Sequence, residues 1–366
     1  MAVGDVYIGM GVEKNGRIPV ERYEEVGDSD GITYYRRLGP AKVSGTWTSV
    51  GKMFPTATGQ RMGRFQPVGA PVGSPETPGG TIRSIVLDSD SVYVGTSTGR
   101  LMKYSRDLHL EATNYDSTAD IRAMDIMGQS IYVGRYNGTL TRYRTSDLHE
   151  QQSINIPEAP HRYPTAIECS SDSRVYVGDT GSEVHRYDRT LGTRVAESPA
   201  SIGGMVTSIH DDYNYIYVTR VNKAYVWMYQ RNSLAYVGES VAMGGRIRDY
   251  AAIPSQGTIA GYTGHNDGAV NRLLGPDLDM KTHSHDYGGA VNALAIDGDY
   301  LYVGGNRNNQ YRLQKLRLSD LSLVYESYIP LISGSIRAMA ADNGEIFVGF
   351  DDYLIKSYTE LYREIG

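Results

Sequence analysis

Four arginines stand at the same place in four similar stretches of the sequence, each directly after an isoleucine. The stretches are IRSIV, IRAMD, IRDYA and IRAMA, and they contain Arg83, Arg122, Arg248 and Arg337. A guanidinium binds carboxylate, sulfate or phosphate through paired hydrogen bonds, so arginines that converge on one point form an anion site. These residues therefore predict an acidic ligand, provided that the fold brings them together.

The four stretches belong to a repeat that occupies most of the chain. A glycine of the type in YVG recurs at Gly95, Gly134, Gly178, Gly261, Gly304 and Gly349, with Thr219 in the one gap. A leucine of the type in DL recurs at Leu108, Leu148, Leu191, Leu234, Leu278, Leu321 and Leu361. Both series are spaced by 39 to 45 residues, and they divide residues 79–366 into seven units. A period of this length is typical of repeat folds whose single units cannot fold alone.

Each unit has the pattern of four short β-strands. An apolar stretch such as IRAMDI is followed by a turn rich in Asp, Gly and Ser, by VYVG, by a polar strand such as EVHRY, and by a last strand after DL. Four antiparallel strands in about 42 residues describe one blade of a β-propeller. The sequence thus predicts an all-β, seven-bladed β-propeller with almost no helix. Eight blades are the alternative, since DVYIGMGVEKNGRI near the N-terminus echoes the second and third strands.

The pattern YVG…G…Y…DL resembles the repeats of WD-repeat, YVTN and quinoprotein-like (PQQ-like) propellers, over residues 79–366. The resemblance implies the fold and no particular activity. Quinoprotein enzymes carry a tryptophan in each blade, whereas this chain has only Trp47 and Trp227, and it lacks the WD dipeptide. Quinone binding and dehydrogenase activity are therefore not expected, and no cofactor or metal is predicted.

In a propeller, the loop into the inner strand and the turn between the second and third strands open on one face. One position per unit near that face is occupied by Arg83, Arg122, Thr165, Thr207, Arg248, Asn292 and Arg337, and it should ring the channel mouth. We predict ligand binding by this ring. The alternative is that each arginine pairs with a carboxylate, for which Asp120, Asp125 and Asp249 are the candidates.

The turns between the second and third strands are rich in hydrogen-bonding side chains in four of the units. These turns, RYNG, RVNK, YTGHNDG and NRNNQ, add Arg135, Tyr136, Asn137, Arg220, Asn222, His265, Asn266, Asp267, Arg307 and Asn308 to the predicted ligand-binding residues. Such side chains suit sugar hydroxyls or a polar protein surface, although ordinary solvated turns have the same composition.

Residues 1–78 have no period and end in the Gly- and Pro-rich stretch PVGAPVGSPETPGG. We predict an extended arm that anchors the protein to a larger assembly, because Tyr34, Trp47 and Phe54 are apolar enough to be buried against a partner. A free tail is the alternative. Asp28 and Asp30 suggest a calcium loop only weakly, since the later acidic ligands are missing.

Composition and motifs exclude several classes of function. The net charge of −6 argues against a nucleic-acid binder. We expect no intrachain disulfide, because Cys169 is the single cysteine, and no membrane insertion or signal peptide. No nucleophile elbow, P-loop or HExxH motif is present. His283 and His285 beside Asp286 lack a third ligand, so a surface pair is expected rather than a zinc site.

These observations favour a non-enzymatic binding or structural module. An anchoring arm with an outward propeller resembles the layout of virion-attached proteins of tailed viruses, such as tail or capsid components. That resemblance implies an oligomeric protein, or one that is part of a complex, located on a virion. It also implies recognition of a host surface glycan or protein. A propeller glycosidase or polysaccharide lyase is one alternative, and a cytoplasmic interaction scaffold is the other.

Overall fold

The computed structural model describes most of the repeat region and a set of strands at both ends of the chain. The described ranges are 6–9, 17–29, 32–44, 61–62, 64–68, 78–115, 118–157, 161–198, 203–212, 214–221, 223–253, 259–275, 280–307, 310–328, 335–351, 354–358 and 361–365. They contain thirty-three β-strands and no helix, so no helix in these ranges is able to cross a membrane. The strands before residue 69 and those after residue 354 are described by their backbone pairing.

Six units of the repeat form four-stranded antiparallel sheets in which the strands follow chain order. The first three blades contain β6 (Ile82–Leu87), β7 (Ser91–Thr96), β8 (Leu101–Ser105), β9 (Leu110–Asn114), β10 (Ile121–Met127), β11 (Ser130–Arg135), β12 (Thr139–Arg144), β13 (Glu150–Asn155), β14 (Pro164–Cys169), β15 (Arg174–Asp179), β16 (Val184–Asp188) and β17 (Arg194–Glu197). The next three contain β18 (Val206–Asp211), β19 (Tyr215–Arg220), β20 (Val226–Gln230), β21 (Tyr236–Glu239), β22 (Ile247–Ile253), β23 (Ile259–His265), β24 (Ala269–Gly275), β25 (Met280–Asp286), β26 (Ala290–Asp297), β27 (Tyr300–Arg307), β28 (Gln310–Arg317) and β29 (Leu323–Tyr328).

The last unit departs from the prediction, because its sheet contains three described strands instead of four. These strands are β30 (Ala338–Asp342), β31 (Glu345–Gly349) and β32 (Leu354–Tyr358). The strand predicted to complete this unit, β33 (Leu361–Ile365), pairs instead with strands from the N-terminal part of the chain. The prediction of seven complete blades is therefore wrong, and the structure has six complete blades.

The N-terminal residues form a sheet that lies outside the repeat. Its strands are β1 (Val6–Gly9), β2 (Arg17–Ser29), β3 (Ile32–Ser44), β4 (Arg61–Met62) and β5 (Arg64–Val68), and β33 inserts between β3 and β5. The long hairpin of β2 and β3 dominates the sheet, with Ser29 opposite Ile32 at its turn. The stretch that suggested an eighth blade supplies β1 and part of β2, which belong to this six-stranded sheet rather than to a blade.

The repeated glycine exists because the neighbouring blade packs directly onto it. A Cβ on Gly349 would lie 2.5 Å from Ile82 Cγ2, and the amide of Ile82 donates to the carbonyl of Phe350 at 3.0 Å. These contacts join the last unit to the first and close the ring. In the fifth blade Gly264 has this role, since its Cβ would lie 2.4 Å from Val291 Cγ1. The alignment that assigned Gly261 to the series is thus wrong by three residues.

A tyrosine repeated in the second strand of the blades contributes to the excess of Tyr over Phe, 30 against 4. The ring is buried between blades, and its hydroxyl reaches a backbone carbonyl in the next blade. Tyr132 donates to Arg189 O at 2.6 Å, and Tyr176 donates to Arg231 O at 3.0 Å. At Tyr176 a phenylalanine would fill the same space but would leave the buried carbonyl of Arg231 without this partner, which costs about 1–3 kcal/mol.

The repeated leucine occupies a backbone conformation that leucine seldom adopts. The repeated leucines with φ between 54° and 61° are Leu108, Leu148, Leu191, Leu234 and Leu321. All five side chains are buried under the turn that connects the third and fourth strands. Their burial contributes about 1.5–3 kcal/mol each, which exceeds the roughly 1–2 kcal/mol that a left-handed residue costs.

Candidate functional site

The inner strands surround a central channel with a volume of about 870 Å³. The predicted ring of Arg83, Arg122, Thr165, Thr207, Arg248, Asn292 and Arg337 lines it. The repeat period alone was sufficient to place these side chains together. We call Arg83, Arg122, Arg248 and Arg337 the mouth arginines, and the face on which they lie the mouth face.

Three of the mouth arginines are paired with carboxylates. Arg83 Nε lies 3.3 Å from Asp120 Oδ1, and Arg122 Nη2 lies 3.1 Å from the other oxygen of the same carboxylate. Arg337 Nε donates to Asp351 Oδ1 at 2.7 Å. Asp120 is one of the candidate carboxylates for structural pairing. It pairs with both Arg83 and Arg122, so these two arginines share one negative charge.

Arg248 differs from the other mouth arginines. Its Nε and Nη2 donate to Asn266 Oδ1 at 3.1 and 2.6 Å, and both residues are exposed. Among the described residues it has no carboxylate partner. The mouth therefore holds four guanidinium groups and, as their described ion-pair partners, two carboxylates, in a chain whose net charge is −6.

An aromatic platform lies beside the paired arginines. The rings of Tyr136 and Tyr163 are 4.4 Å apart, and the guanidinium of Arg122 lies 5.0 Å from the first ring and 5.6 Å from the second. The side chain of Tyr136 is 51% exposed. The amide of Tyr136 donates to the carbonyl of Asp120 at 2.8 Å, which fixes the platform next to the shared carboxylate.

Three residues that we predicted as ligand donors are buried between blades, so their assignment to exposed turns is corrected. Arg135 is 1% exposed and donates to Gly99 O at 2.9 Å in the preceding blade. Arg220 is 0% exposed, donates to Ser182 O at 3.1 Å, and stacks over Trp227 at 4.9 Å. An arginine at the end of the second strand thus reaches back to the turn of the preceding blade, and its hydrogen bond joins the two sheets.

His265 is the third of these residues, and it is 0% exposed. Its Nε2 lies 2.8 Å from Thr263 Oγ1 and 2.9 Å from Asn271 Nδ2, so it belongs to a buried polar network. Asn137 is exposed and caps its own turn, accepting the amide of Thr139 at 3.2 Å.

Of the remaining predicted turn residues, one is exposed and the side chains of three are not described. Asp267 is exposed on the mouth face, close to Gly245. Asn222 and Asn308 lie outside the described residues, as does the side chain of Arg307.

Deeper in the channel, carboxylates connect the inner strands of neighbouring blades. Asp125 accepts the amide of Cys169 at 2.6 Å, Glu168 accepts the amide of Asp211 at 3.3 Å, and Asp249 accepts the amide of Leu294 at 2.8 Å. Asp125 and Asp249 therefore do not pair with the mouth arginines, contrary to the pairing alternative. Inner strands of different blades belong to separate sheets, and these carboxylates supply acceptors for their amides.

Burial in the channel wall shifts the pKa values of these carboxyl groups and of a nearby histidine. Burial raises the pKa of Asp125 to about 6 and that of Asp249 to about 6. Burial and the neighbouring charges of Asp125 and Asp211 raise the pKa of Glu168 well above its usual range. Burial lowers the pKa of His210 to about 4, although its ring Nε2 donates to Tyr250 O at 2.5 Å. The channel interior thus holds protonatable acids with an uncharged imidazole.

One cluster among the described residues has the composition of a metal centre, and sequence reasoning missed it. The ligand atoms of Asp179, Glu183 and His185 all lie within 4.8 Å of one another, and all three side chains are buried. Arg162 Nη1 lies 2.6 Å from Glu183 Oε2 and 3.7 Å from Asp179 Oδ2. A guanidinium thus occupies the position from which a metal cation would compensate the charge of these carboxylates.

His285, from the predicted surface pair, contacts Gln314 Oε1 at 2.9 Å.

Four-stranded antiparallel sheets around a channel define the chain as a β-propeller protein. No protein-family model and no curated protein matches the chain. Among solved structures, the computationally designed Ika8 protein is similar to it, with a TM-score of 0.59 and 13% sequence identity over 79% of this chain and 100% of the designed chain. At this identity the likeness shows the fold alone, so the resemblance to named propeller families stays at the level of the blade pattern.

Proposed function

We propose that the protein is a non-enzymatic binding module that takes an acidic glycan on the mouth face. The excess of guanidinium groups over carboxylates at the channel mouth carries this proposal. Arg248 contributes most, because its charge has no described carboxylate partner and its side chain is exposed. A sulfate or carboxylate group of a sugar would supply the missing negative charge through two parallel hydrogen bonds.

The aromatic platform favours a glycan over another acidic ligand. The exposed ring of Tyr136 offers an apolar surface beside cations, and the C–H face of a sugar ring packs against such surfaces. The polar side chains of Asn137 and Asn266 lie exposed on the same face and suit sugar hydroxyls. Positive potential in a concave mouth concentrates anionic ligands even when the whole protein is negative.

The test is binding of a sulfated tetrasaccharide and of its desulfated counterpart to the full-length protein by calorimetry. We expect the sulfated sugar to bind more tightly, and Arg248→Ala to weaken it about tenfold, the loss of one charge-assisted contact. Arg189→Ala is the matched control, since this exposed arginine lies in the turn between the third and fourth strands, on the opposite face. Equal binding of both sugars contradicts the proposal, and preferential binding of a glutamate-rich peptide would replace the glycan by an acidic protein.

We also propose that residues 1–78 attach this module to a larger assembly such as a virion, with the propeller directed at a host surface. The support is the separate six-stranded sheet, in which the short strands β4 and β5 each have one described neighbour. Such edges offer unpaired backbone groups to a partner. Deleting residues 1–78 should abolish self-association measured by light scattering. The first deletion removes β3 and β5, the partners of β33, so a second variant that also lacks residues 359–366 controls for the exposure of β33. Unchanged association of both variants contradicts the proposal.

A glycoside hydrolase or lyase is the second candidate, and one observation favours it. The raised pKa of Glu168, which lines the central channel, is the property required of a general acid. Replacement Glu168→Gln should abolish sugar cleavage if this candidate is correct. The same residue accepts an amide of the neighbouring blade, which is why a structural role is preferred.

A further inference from the structure

A separate cleft opens between the fourth and fifth blades, next to the channel mouth. Its volume is about 320 Å³. The lining residues are Lys223, Ala224, Gly244, Gly245, Arg246, Asn266 and Asp267. We call it the side cleft. Asn266 connects the side cleft to the channel, because it lines the cleft and also accepts both hydrogen bonds of Arg248.

Positive charge predominates around the side cleft. Lys223 and Arg246 line it and Arg248 adjoins it, whereas Asp267 is the one carboxylate among its lining residues. Among the described residues, none of the three cations has an ion-pair partner. Three neighbouring cations repel each other, and a bound anion removes that repulsion.

Backbone groups add to the positive potential. The amides of Gly244, Gly245 and Arg246 have no acceptor within the described part of the chain, and Gly244 has φ of +86°. Consecutive amides around a left-handed residue form a concavity that favours anions. A Cβ on Gly245 would lie 2.5 Å from Asp267 Oδ2, so the exposed carboxylate of Asp267 lies directly beside this glycine.

The walls of the side cleft are held together by backbone hydrogen bonds. The amide of Met243 donates to Ala224 O at 2.8 Å, and the amide of Asn266 donates to Arg246 O at 3.0 Å. The turn of blade four, the loop into β22 and the turn of blade five are thus fixed relative to one another. A preorganised site loses little entropy when it binds a ligand.

We infer that the side cleft is a second anion subsite, which takes a sulfate or carboxylate group of the same acidic glycan that is proposed to bind the channel mouth. This inference rests on the proposed function and specifies its ligand. A glycan that fills both places carries at least two acidic groups, one at Arg248 and one at Lys223 and Arg246. A sugar with a single acidic group fills only one of them.

The test uses inorganic sulfate, a monosulfated disaccharide and a polysulfated tetrasaccharide with the ¹⁵N-labelled full-length protein. Sulfate should shift the amide signals of Gly244, Gly245 and Arg246. The tetrasaccharide should bind at least tenfold more tightly than the disaccharide, and Arg246→Ala or Lys223→Ala should remove most of that advantage. Asp267→Asn should strengthen sulfate binding, and Arg189→Ala should change nothing.

The outcomes separate this inference from the proposed function. If Arg248→Ala weakens the tetrasaccharide while Lys223→Ala, Arg246→Ala and Asp267→Asn leave it unchanged, the subsite is wrong and the glycan site at the mouth stands. If neither sugar binds but sulfate shifts the three amides, the cleft binds anions and the proposed glycan ligand is wrong. Absence of any sulfate shift at the three amides overturns the inference.

Discussion

Arg248 and Asn266 are joined by two hydrogen bonds to a single amide oxygen, at 3.1 and 2.6 Å, on the exposed rim of the channel. The corresponding contacts of Arg83 and Arg337 end on carboxylates. An amide orients the guanidinium without neutralising it. This contact therefore positions a cation at the mouth and leaves its charge for a ligand.

Replacement Asn266→Asp puts a carboxylate where that amide oxygen now lies. We expect the sulfated tetrasaccharide to bind about tenfold more weakly, because Arg248 is then neutralised within the protein. The free energy of unfolding should change by no more than about 0.5 kcal/mol, as is usual for exposed positions. Asn214→Asp is the matched control, since this exposed asparagine lies in the turn between β18 and β19, on the opposite face. Calorimetry and urea unfolding measure both quantities, and unchanged binding would show that the charge of Arg248 has no role.

Arg220 is expected to act on stability rather than on binding. Arg220→Ala removes hydrogen bonds to Ser182 O and to the hydroxyl of Tyr229 and leaves a cavity beside Trp227. Urea denaturation should show a loss of about 3 kcal/mol, since a large buried side chain and its polar contacts disappear together. The exposed Arg246→Ala should cost less than about 0.5 kcal/mol. A stable Arg220→Ala variant with impaired glycan binding would restore the ligand role predicted from the sequence.

The position of the mouth arginines was predictable, whereas the burial of the turn arginines was not. The period of the repeat determines which residues share a ring, so Arg83 and Arg248 could be placed at one channel from spacing alone. Whether Arg135 points to solvent or back to Gly99 depends on the neighbouring blade, which the pattern of one unit does not contain. The incomplete last unit depends likewise on the competition of the N-terminal sheet for β33.

Arg162 is expected to be essential for the buried cluster of Asp179, Glu183 and His185. Arg162→Ala leaves two buried carboxylates without their guanidinium partner, and the free energy of unfolding should fall by about 3 kcal/mol. A divalent cation such as Zn²⁺ should restore part of that loss in the variant and have little effect on the native protein, because Arg162 no longer occupies the space. Thermal unfolding with and without the metal measures this. Equal stability of variant and native protein would contradict it.

The channel carboxyl groups should make stability depend on pH. The pKa of Asp249 is raised to about 6 by burial, so the folded state holds this proton more tightly than the unfolded state. Its contribution is present below pH 4 and is lost as the pH rises through 6. Asp249→Asn removes this titration, so its stability relative to the native protein should rise between pH 4 and pH 7 by about 3 kcal/mol, the equivalent of about two pKa units.

His210 acts in the opposite direction in a nearby range. Its pKa is lowered to about 4, so its contribution is present above its unfolded pKa and is lost as the pH falls towards 4. Comparison of Asp249→Asn with the native protein cancels this effect, because both proteins keep the histidine. Urea unfolding across this range measures the difference, and a constant difference would show that Asp249 has the same pKa in both states.

The most direct measurement of the central claim is the ratio of affinities for the sulfated and the desulfated tetrasaccharide. The native protein should prefer the sulfated sugar by about a hundredfold, which corresponds to two charge-assisted contacts. The double variant Arg246→Ala/Arg248→Ala should bring the ratio close to one, while Arg189→Ala should keep the native value. A native ratio near one, or a ratio that the double variant does not change, would contradict glycan recognition through the cations of the mouth face.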